Sequence, residues 1–258
     1  MDKIRVVKIG GNVIDNPEAL SSFLADFANL EGNKILVHGG GKIATELSKS
    51  MGITPQMIDG RRVTSQQDLE VVTMVYAGLI NKNIVAQLQA KACNAVGFTG
   101  ADANTIVSDK RPTNPIDFGF VGDVKTVNGK AISGFVEQGV IPVFCAITHD
   151  GKGQLLNTNA DTIASEVAAS LVGFYDVELI YCFEKQGVLE NVEDENSVIP
   201  EINPSYYETL KAEGKIHSGM LPKLKNCFDA IEKGVKSVKI GNPEVIRNEN
   251  QLCTIIKG

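Results

Sequence analysis

The 258-residue chain is most informative first for what it does not contain. It has no long unbroken apolar run, so no membrane-spanning helix is expected. Its first residues, Met1-Asp2-Lys3-Ile4-Arg5, enter a strand-like segment directly, without the pattern of a signal peptide. There are three histidines, and the five cysteines (Cys93, Cys145, Cys182, Cys227, Cys253) include no C-x-x-C pair. Zinc ligation is therefore disfavoured, and no metal held by side chains is expected. Dispersed thiols in odd number read as reduced, apolar core residues of a soluble cytoplasmic protein. A net charge of −6 argues against a nucleic-acid partner, since phosphate backbones need clustered Lys and Arg. The Walker spacing and the G-x-G-x-x-G fingerprint are both missing, which leaves P-loop and nicotinamide chemistry without support. Internal repeats and low-complexity segments are absent too.

What is present is an alternation of strands, glycines and helices. Ile4 to Ile9 reads as a buried strand running into Gly10-Gly11. Asn16 and Pro17 then fit the N-cap and first turn of a helix whose apolar stripe is Leu20, Phe23, Leu24 and Phe27. Lys34 to His38 reads as the next strand, ending in Gly39-Gly40-Gly41 before a helix from about Lys42 to Gly52. Such an order implies a parallel sheet with right-handed crossovers. Ligands of these sheets sit at the carboxyl ends of the strands, where both glycine turns fall. Further along, a long helix is expected over Gln66–Lys91, a hairpin region over Gly97–Asp123 and a central strand over Val140–Cys145. After Asn157 the pattern restarts with helices over Ala160–Leu171, Pro204–Glu213 and Lys223–Lys233. Strands are expected over Val177–Cys182 and Ser237–Ile240, with an edge strand over Leu252–Ile256.

Five places carry candidate chemistry. Lys8, at the end of a buried strand, calls for an anionic partner, because an unpaired buried ammonium is costly. Gly10 and Gly11 let a ligand approach the backbone; a surface lysine before an ordinary turn is the competing reading. The triple glycine after His38 puts backbone donors beside a helix N-terminus and suits an anion. His38 itself reads as structural. Arg61-Arg62 in Asp59–Thr64 suits carboxylate recognition or, alternatively, a solvated basic turn. Asn157, Asn159 and Asp161 are more capping residues than one helix start uses, so Asn157 and Asp161 are free to serve a substrate or a lysine. Lys223 stands in the first turn of a helix, where the dipole disfavours a cation unless an anion sits there as well.

Taken in order, Lys8-x-Gly-Gly, His38-Gly-Gly-Gly, Gly60-Arg-Arg-Val-Thr64, Leu156-Asn-Thr-Asn-Ala-Asp161 and Gly219-Met-Leu-Pro-Lys223 resemble the N-acetylglutamate kinases of the amino acid kinase superfamily, over essentially the whole chain. The resemblance implies a three-layer α/β sandwich with an open, mainly parallel eight-stranded sheet, the amino acid kinase or carbamate kinase-like fold. It implies one domain over 1–258, with an N-terminal lobe (1–155) for the acylated amino acid and a C-terminal lobe (156–258) for ATP. The implied reaction moves the γ-phosphoryl of ATP, carried with Mg2+ on its phosphates, to the side-chain carboxylate of N-acetyl-L-glutamate in arginine biosynthesis. Lys8, Lys223 and Asp161 take catalytic roles in that scheme. Gly40, Gly41, Arg62 and Asn157 hold the acceptor, while Gly10, Gly11, Glu184 and Gly187 hold the nucleotide. A carboxylate is already ionised at pH 7, so the transfer needs alignment and charge neutralisation and no general base.

Two segments depart from the pattern. Phe183-Glu184-Lys185 stands where relatives usually carry an aspartate at the nucleotide. The stretch from Thr99 to Phe118 is atypical where the lid and acyl pocket are expected. N-succinyl-L-glutamate is therefore a second candidate acceptor, its additional carboxylate meeting Lys110 or Arg111. A sibling kinase would be distinguished by free glutamate as the better substrate. A non-catalytic amino-acid sensor would be distinguished by binding without turnover. Arginine-inhibited relatives carry an extra N-terminal helix that links dimers into hexamers. Only Met1-Asp2 precede the first strand here, so a homodimer insensitive to arginine is expected.

Overall fold

In the computed structural model, residues 1–58, 60–191, 193–216, 220–248 and 250–258 are described. Asp59 and Gly219, which belong to two of the motifs above, lie outside them.

An eight-stranded sheet runs through the molecule in the order Glu201–Ile202, Thr254–Ile256, Ser237–Gly241, Asp176–Cys182, Lys3–Ile9, Asn33–His38, Ile141–Phe144, Ala95–Phe98. All neighbours pair in parallel except Ser237–Gly241 with Thr254–Ile256. The mainly parallel sheet expected from the strand–glycine–helix order is thus present. The last strand is not the edge: the two-residue Glu201–Ile202 lies outside it, too short to register as a periodic pattern. Its central strands are buried on both faces, Ile4, Val6, Val7, Ile35, Leu36, Val37 and Leu179 being fully enclosed. That is why they read as continuous apolar runs and not as alternating ones.

Helix Ala160–Ser170 shows how local signals combine. Asn159 caps it, its side-chain oxygen accepting from the backbone of Asp161 (2.8 Å) and Thr162 (3.1 Å). Ile163, Ala164, Val167 and Ala168 then bury one face. The Ile and Val side chains each contribute about 1.5–3 kcal/mol by leaving water.

A second sheet of four strands, Leu155–Asn157, Ile147–His149, Ile106–Lys110 and Gly122–Val127, contains the expected hairpin region. A two-stranded ribbon, Gln56–Ile58 with Arg61–Val63, stands where the sequence suggests only a turn before a helix. Also unforeseen is the single-turn helix Gly11–Asp15, placed directly after the first glycine pair.

The long helix spans Gln66–Gln89 and is long and apolar enough, by length and composition, to cross a membrane. Polar residues break its apolar run, and Val71, Val72, Val75, Ile84 and Leu88 are spent on the protein's own core. Its middle, Met74–Ile80, is a π-helix. The five cysteines are unpaired and buried, as core residues. Burial pushes the thiols of Cys145 and Cys182 up to about 12.

Candidate active site

Register brings three strand ends level. Ile9 pairs with His38 on one side and Cys182 on the other, so Gly10, Gly39 and Phe183 emerge together at the carboxyl edge. Two cavities open there. One, of about 490 Å3, is lined by Lys8, Gly10, Gly11, Phe183, Glu184 and Gly187, with Lys223 and the apolar Val13, Leu189 and Met220. The other, of about 440 Å3, is lined by Gly40, Gly41, Thr45, Arg62, Tyr76, Arg111 and Asn157, among others.

Lys8 and Asp161 form a buried ion pair at 2.6 Å. Lys8 comes from the first strand and lines the larger cavity. Asp161 comes from the helix whose start, Asn159 and Ala160, lines the smaller one. Tyr181, next to Lys8 in register, donates its hydroxyl to the Asp161 carbonyl at 2.8 Å and fixes that helix start.

Lys223 is the third residue of helix Leu221–Glu232, behind Pro222. Its ammonium lies 3.8 Å from the centre of the Phe183 ring, and Lys8's lies 5.4 Å from the same ring. Phe183 in turn stacks on Tyr181 with centroids 5.9 Å apart. Two like charges thus stand against one aromatic ring, which attracts both. Burial lowers the pKa of Lys223; the charge of Asp161 opposes that shift, and the charge of Lys8 adds to it. The position of Lys223 against the helix dipole is compensated in part by this carboxylate and this ring.

The two glycine turns differ in kind. Gly10 is extended at φ −91°, ψ 179°, a conformation open to any residue. A Cβ there would make only ordinary contact, 3.8 Å from the Lys8 ammonium, so neither backbone nor space within the chain demands a glycine at this position. Gly40, by contrast, sits at φ 147°, where side chains are strained, and a Cβ would overlap the Ile80 side chain. The surplus of glycines after His38 is explained by this close packing of the π-helical segment on the turn.

Arg62 is buried and built into the wall of the smaller cavity. One terminal nitrogen, Nη2, donates to Gly41 O (3.1 Å) and Thr45 Oγ1 (2.6 Å). The other, Nη1, lies 3.7 Å from Asp68 and has no hydrogen-bond partner. Asp68 is itself fixed by a capping box with Ser65. Of the arginine pair, Arg61 is exposed and Arg62 enclosed, as alternation along a strand requires. Asn157 donates to Thr64 Oγ1 at 3.0 Å. The three capping candidates therefore divide: Asn159 caps, Asn157 faces the cavity and Asp161 holds Lys8.

Residues that sequence reasoning did not place include Tyr76 and Thr45, which carry no local signal, and Arg111. Of the cations in the atypical segment, Lys110 is exposed over the Phe120 ring, whereas Arg111 reaches the smaller cavity. Arg111 Nε donates to Asp123, its guanidinium lies over Phe118, and its buried Nη1 has no partner. Among the described residues no group of three or more His, Cys, Asp or Glu is placed to hold a metal ion.

A sequence profile of the amino acid kinase family matches residues 3–242. An acetylglutamate kinase of Cytophaga hutchinsonii is 58% identical over 255 residues, 97% of each chain. The solved structure of smu.665 from Streptococcus mutans UA159 superposes with a TM-score of 0.81 at 27% identity, covering 98% of both chains. Carbamate kinase from Giardia lamblia bound to AMP-PNP shares the fold at 15% identity and a TM-score of 0.74, over 100% of this chain and 99% of that one.

Proposed function

The chain belongs to the amino acid kinase family, and from that premise we infer that it is an ATP-dependent kinase acting on the side-chain carboxylate of N-acetyl-L-glutamate. The products are N-acetyl-L-glutamyl 5-phosphate and ADP, within arginine biosynthesis. The observation that carries the reading in geometry is the Lys8–Asp161 pair, which joins the walls of two cavities at one sheet edge.

The larger cavity takes the nucleotide. Gly10, Gly11, Glu184 and Gly187 border it, and its apolar Val13, Leu189 and Met220 suit a base. The smaller one takes the acylated amino acid between Gly40, Gly41, Arg62 and Asn157. On this reading residues 1–155 serve the acceptor and 156–258 the nucleotide, although each cavity borrows residues from the other half. Lys8 and Lys223 neutralise charge on the phosphoryl group in flight, and Asp161 keeps Lys8 in place. A Mg2+ ion held by the ATP phosphates would supply further charge neutralisation there. The fit is to a phosphate-held ion, because Asp161 is committed to Lys8 and no cluster of carboxylates among the described residues is placed to hold a metal.

A second acceptor is favoured by one observation: the buried, unpartnered Nη1 of Arg111 in the acceptor cavity. A succinyl group would bring a carboxylate to it. Measuring kcat/KM for N-acetyl- and N-succinyl-L-glutamate, in the native enzyme and in Arg111→Met, separates the two. N-acetyl-L-glutamate is expected to be the better acceptor, with Arg111→Met changing its kcat/KM by less than about 10-fold. If the succinyl compound is preferred and Arg111→Met removes the preference, the second reading replaces the first. If neither is phosphorylated, both fall.

The chain is further proposed to act as a homodimer, on the exposure of Met74 and Leu79 along the helix Gln66–Gln89 (51% and 53%). Sedimentation velocity is expected to give one species of twice the chain mass; a monomer at all concentrations would refute it.

A further inference from the structure

His38 is fully buried, and so is Asn81, the first residue after the π-helix Met74–Ile80. His38 Nδ1 lies 2.9 Å from the carbonyl of Gly39, which only accepts. The proton is therefore on Nδ1, leaving Nε2 as an acceptor. Facing Nε2 at 3.0 Å is the Asn81 amide nitrogen, which also donates to Val143 O at 2.9 Å. The orientation of that amide is fixed from its other end, where Lys82 Nζ donates to Asn81 Oδ1 at 3.1 Å. A chain of hydrogen bonds thus runs from Lys82 through Asn81 and His38 to the first peptide of the acceptor glycine turn.

Space has been cleared for this chain. A Cβ on Gly97 would overlap the Asn81 amide, and one on Gly40 would overlap Ile80. A π turn shifts the residues after it around the helix relative to α-helical phase, and such turns recur at functional sites. Here Tyr76 and Ile80 reach the glycines themselves, and Asn81 reaches His38 directly before them. Burial pushes the His38 imidazole down to about 4, so the ring stays neutral across the working range of pH. In a trans peptide the N–H points opposite the C=O. Pinning Gly39 O therefore sets the direction of the Gly40 N–H, a donor with no partner among the described residues.

We propose that Asn81 is a positioning residue for phosphoryl transfer: through the Nδ1–H tautomer of His38 it fixes the Gly39 carbonyl and so aims the Gly40 N–H at the acceptor cavity. The assignment rests on the kinase reading above. Its energetic logic is that a misplacement of about 1 Å near the reacting atoms lowers the rate by about 10²-fold.

His38→Asn and His38→Leu separate this from a merely structural role. Both remove the ring, but an asparagine amide can still donate to Gly39 O. His38→Asn is expected within about 5-fold of native kcat and His38→Leu about 10²-fold below it, with KM for ATP unchanged in both. Asn81→Leu should match His38→Leu, and adding His38→Asn to it should restore at least about 10-fold. Equal kcat in the two His38 variants, or no restoration in the double variant, overturns the proposal. Nitrogen-15 NMR of the imidazoles, simplified by there being three histidines, provides a check on the unaltered protein. His38 must be the neutral Nδ1–H form from pH 5 to 8, and an Nε2–H form overturns the proposal even if the leucine variants fail to fold. Absence of turnover in the native protein would instead defeat the kinase reading, with the tautomer still testing the hydrogen-bond chain.

Discussion

Replacing Lys8 by alanine is expected to lower kcat by about 10²–10³-fold, the loss typical of removing one preorganised donor to developing negative charge. KM for both substrates should change far less. Asp161 is central to this effect, because it holds Lys8 at 2.6 Å while its charge also acts on Lys223. Asp161→Asn leaves two ammoniums at one Phe183 ring without the carboxylate charge that offsets their repulsion. Its kcat should fall to a similar extent, and Lys8→Ala with Asp161→Asn should be little worse than either alone, because the pair acts as a unit. Stability should suffer as well, by about 3–5 kcal/mol, because the pair is buried and either substitution leaves one partner uncompensated.

The pH dependence gives these variants opposite signatures. In the proposed mechanism transfer needs Lys223 protonated, so activity is expected below its folded pKa and is lost as pH rises through it. Burial already lowers that pKa, which brings the alkaline limb below the ordinary lysine value of 10.5. Asp161 raises the pKa, so Asp161→Asn should move the limb to lower pH. Lys8 lowers it, so in Lys8→Ala the residual activity should persist to higher pH. Limbs that coincide in pH–kcat/KM profiles of all three proteins, which report the groups of the free enzyme, would contradict the shared electrostatics.

Much of this arrangement is legible in the chain because it is local. Strands buried on both faces announce themselves as apolar runs, and glycines at their ends mark the edge where ligands sit. Lys223 stands out because a cation in a helix's first turn contradicts the dipole, and a carboxylate and an aromatic face indeed surround it. Three candidate caps at Asn157–Asp161 are more than one helix uses, and only Asn159 caps. Arg111 cannot be assigned in this way. It comes to the acceptor cavity from a hairpin whose closure depends on pairing with distant strands, and neighbours in sequence say nothing of that. The π-helix is equally hidden: one extra residue per turn is too small a change of period to read through a mixed apolar pattern. The glycine turns depart from expectation in their physics. Gly10 keeps an ordinary backbone where a Cβ would fit, while Gly40 is required by a helix packed against it.

Arg62 carries the other large effect. Arg62→Lys is expected to reduce kcat/KM for the acceptor by at least about 10²-fold, with the loss mainly in KM and with KM for ATP unchanged. Charge is conserved in that substitution, so the prediction rests on shape. The guanidinium spans from Gly41 O and Thr45 Oγ1 at one nitrogen to a nitrogen at the other that lies 3.7 Å from Asp68 and has no hydrogen-bond partner. A lysine ammonium is a compact point charge that cannot both brace the turn and meet a carboxylate. The substrate offers the complementary deletion. 4-Acetamidobutanoate keeps the acetamido group and the reacting carboxylate but lacks the α-carboxylate. If Arg62 meets that carboxylate, the native enzyme should use this compound about as poorly as Arg62→Lys uses N-acetyl-L-glutamate. Combining the altered enzyme with the truncated substrate should then cost little more, because the interaction is already gone. Fully additive losses would mean that Arg62 serves only the glycine turn, and that the α-carboxylate is held elsewhere in the cavity.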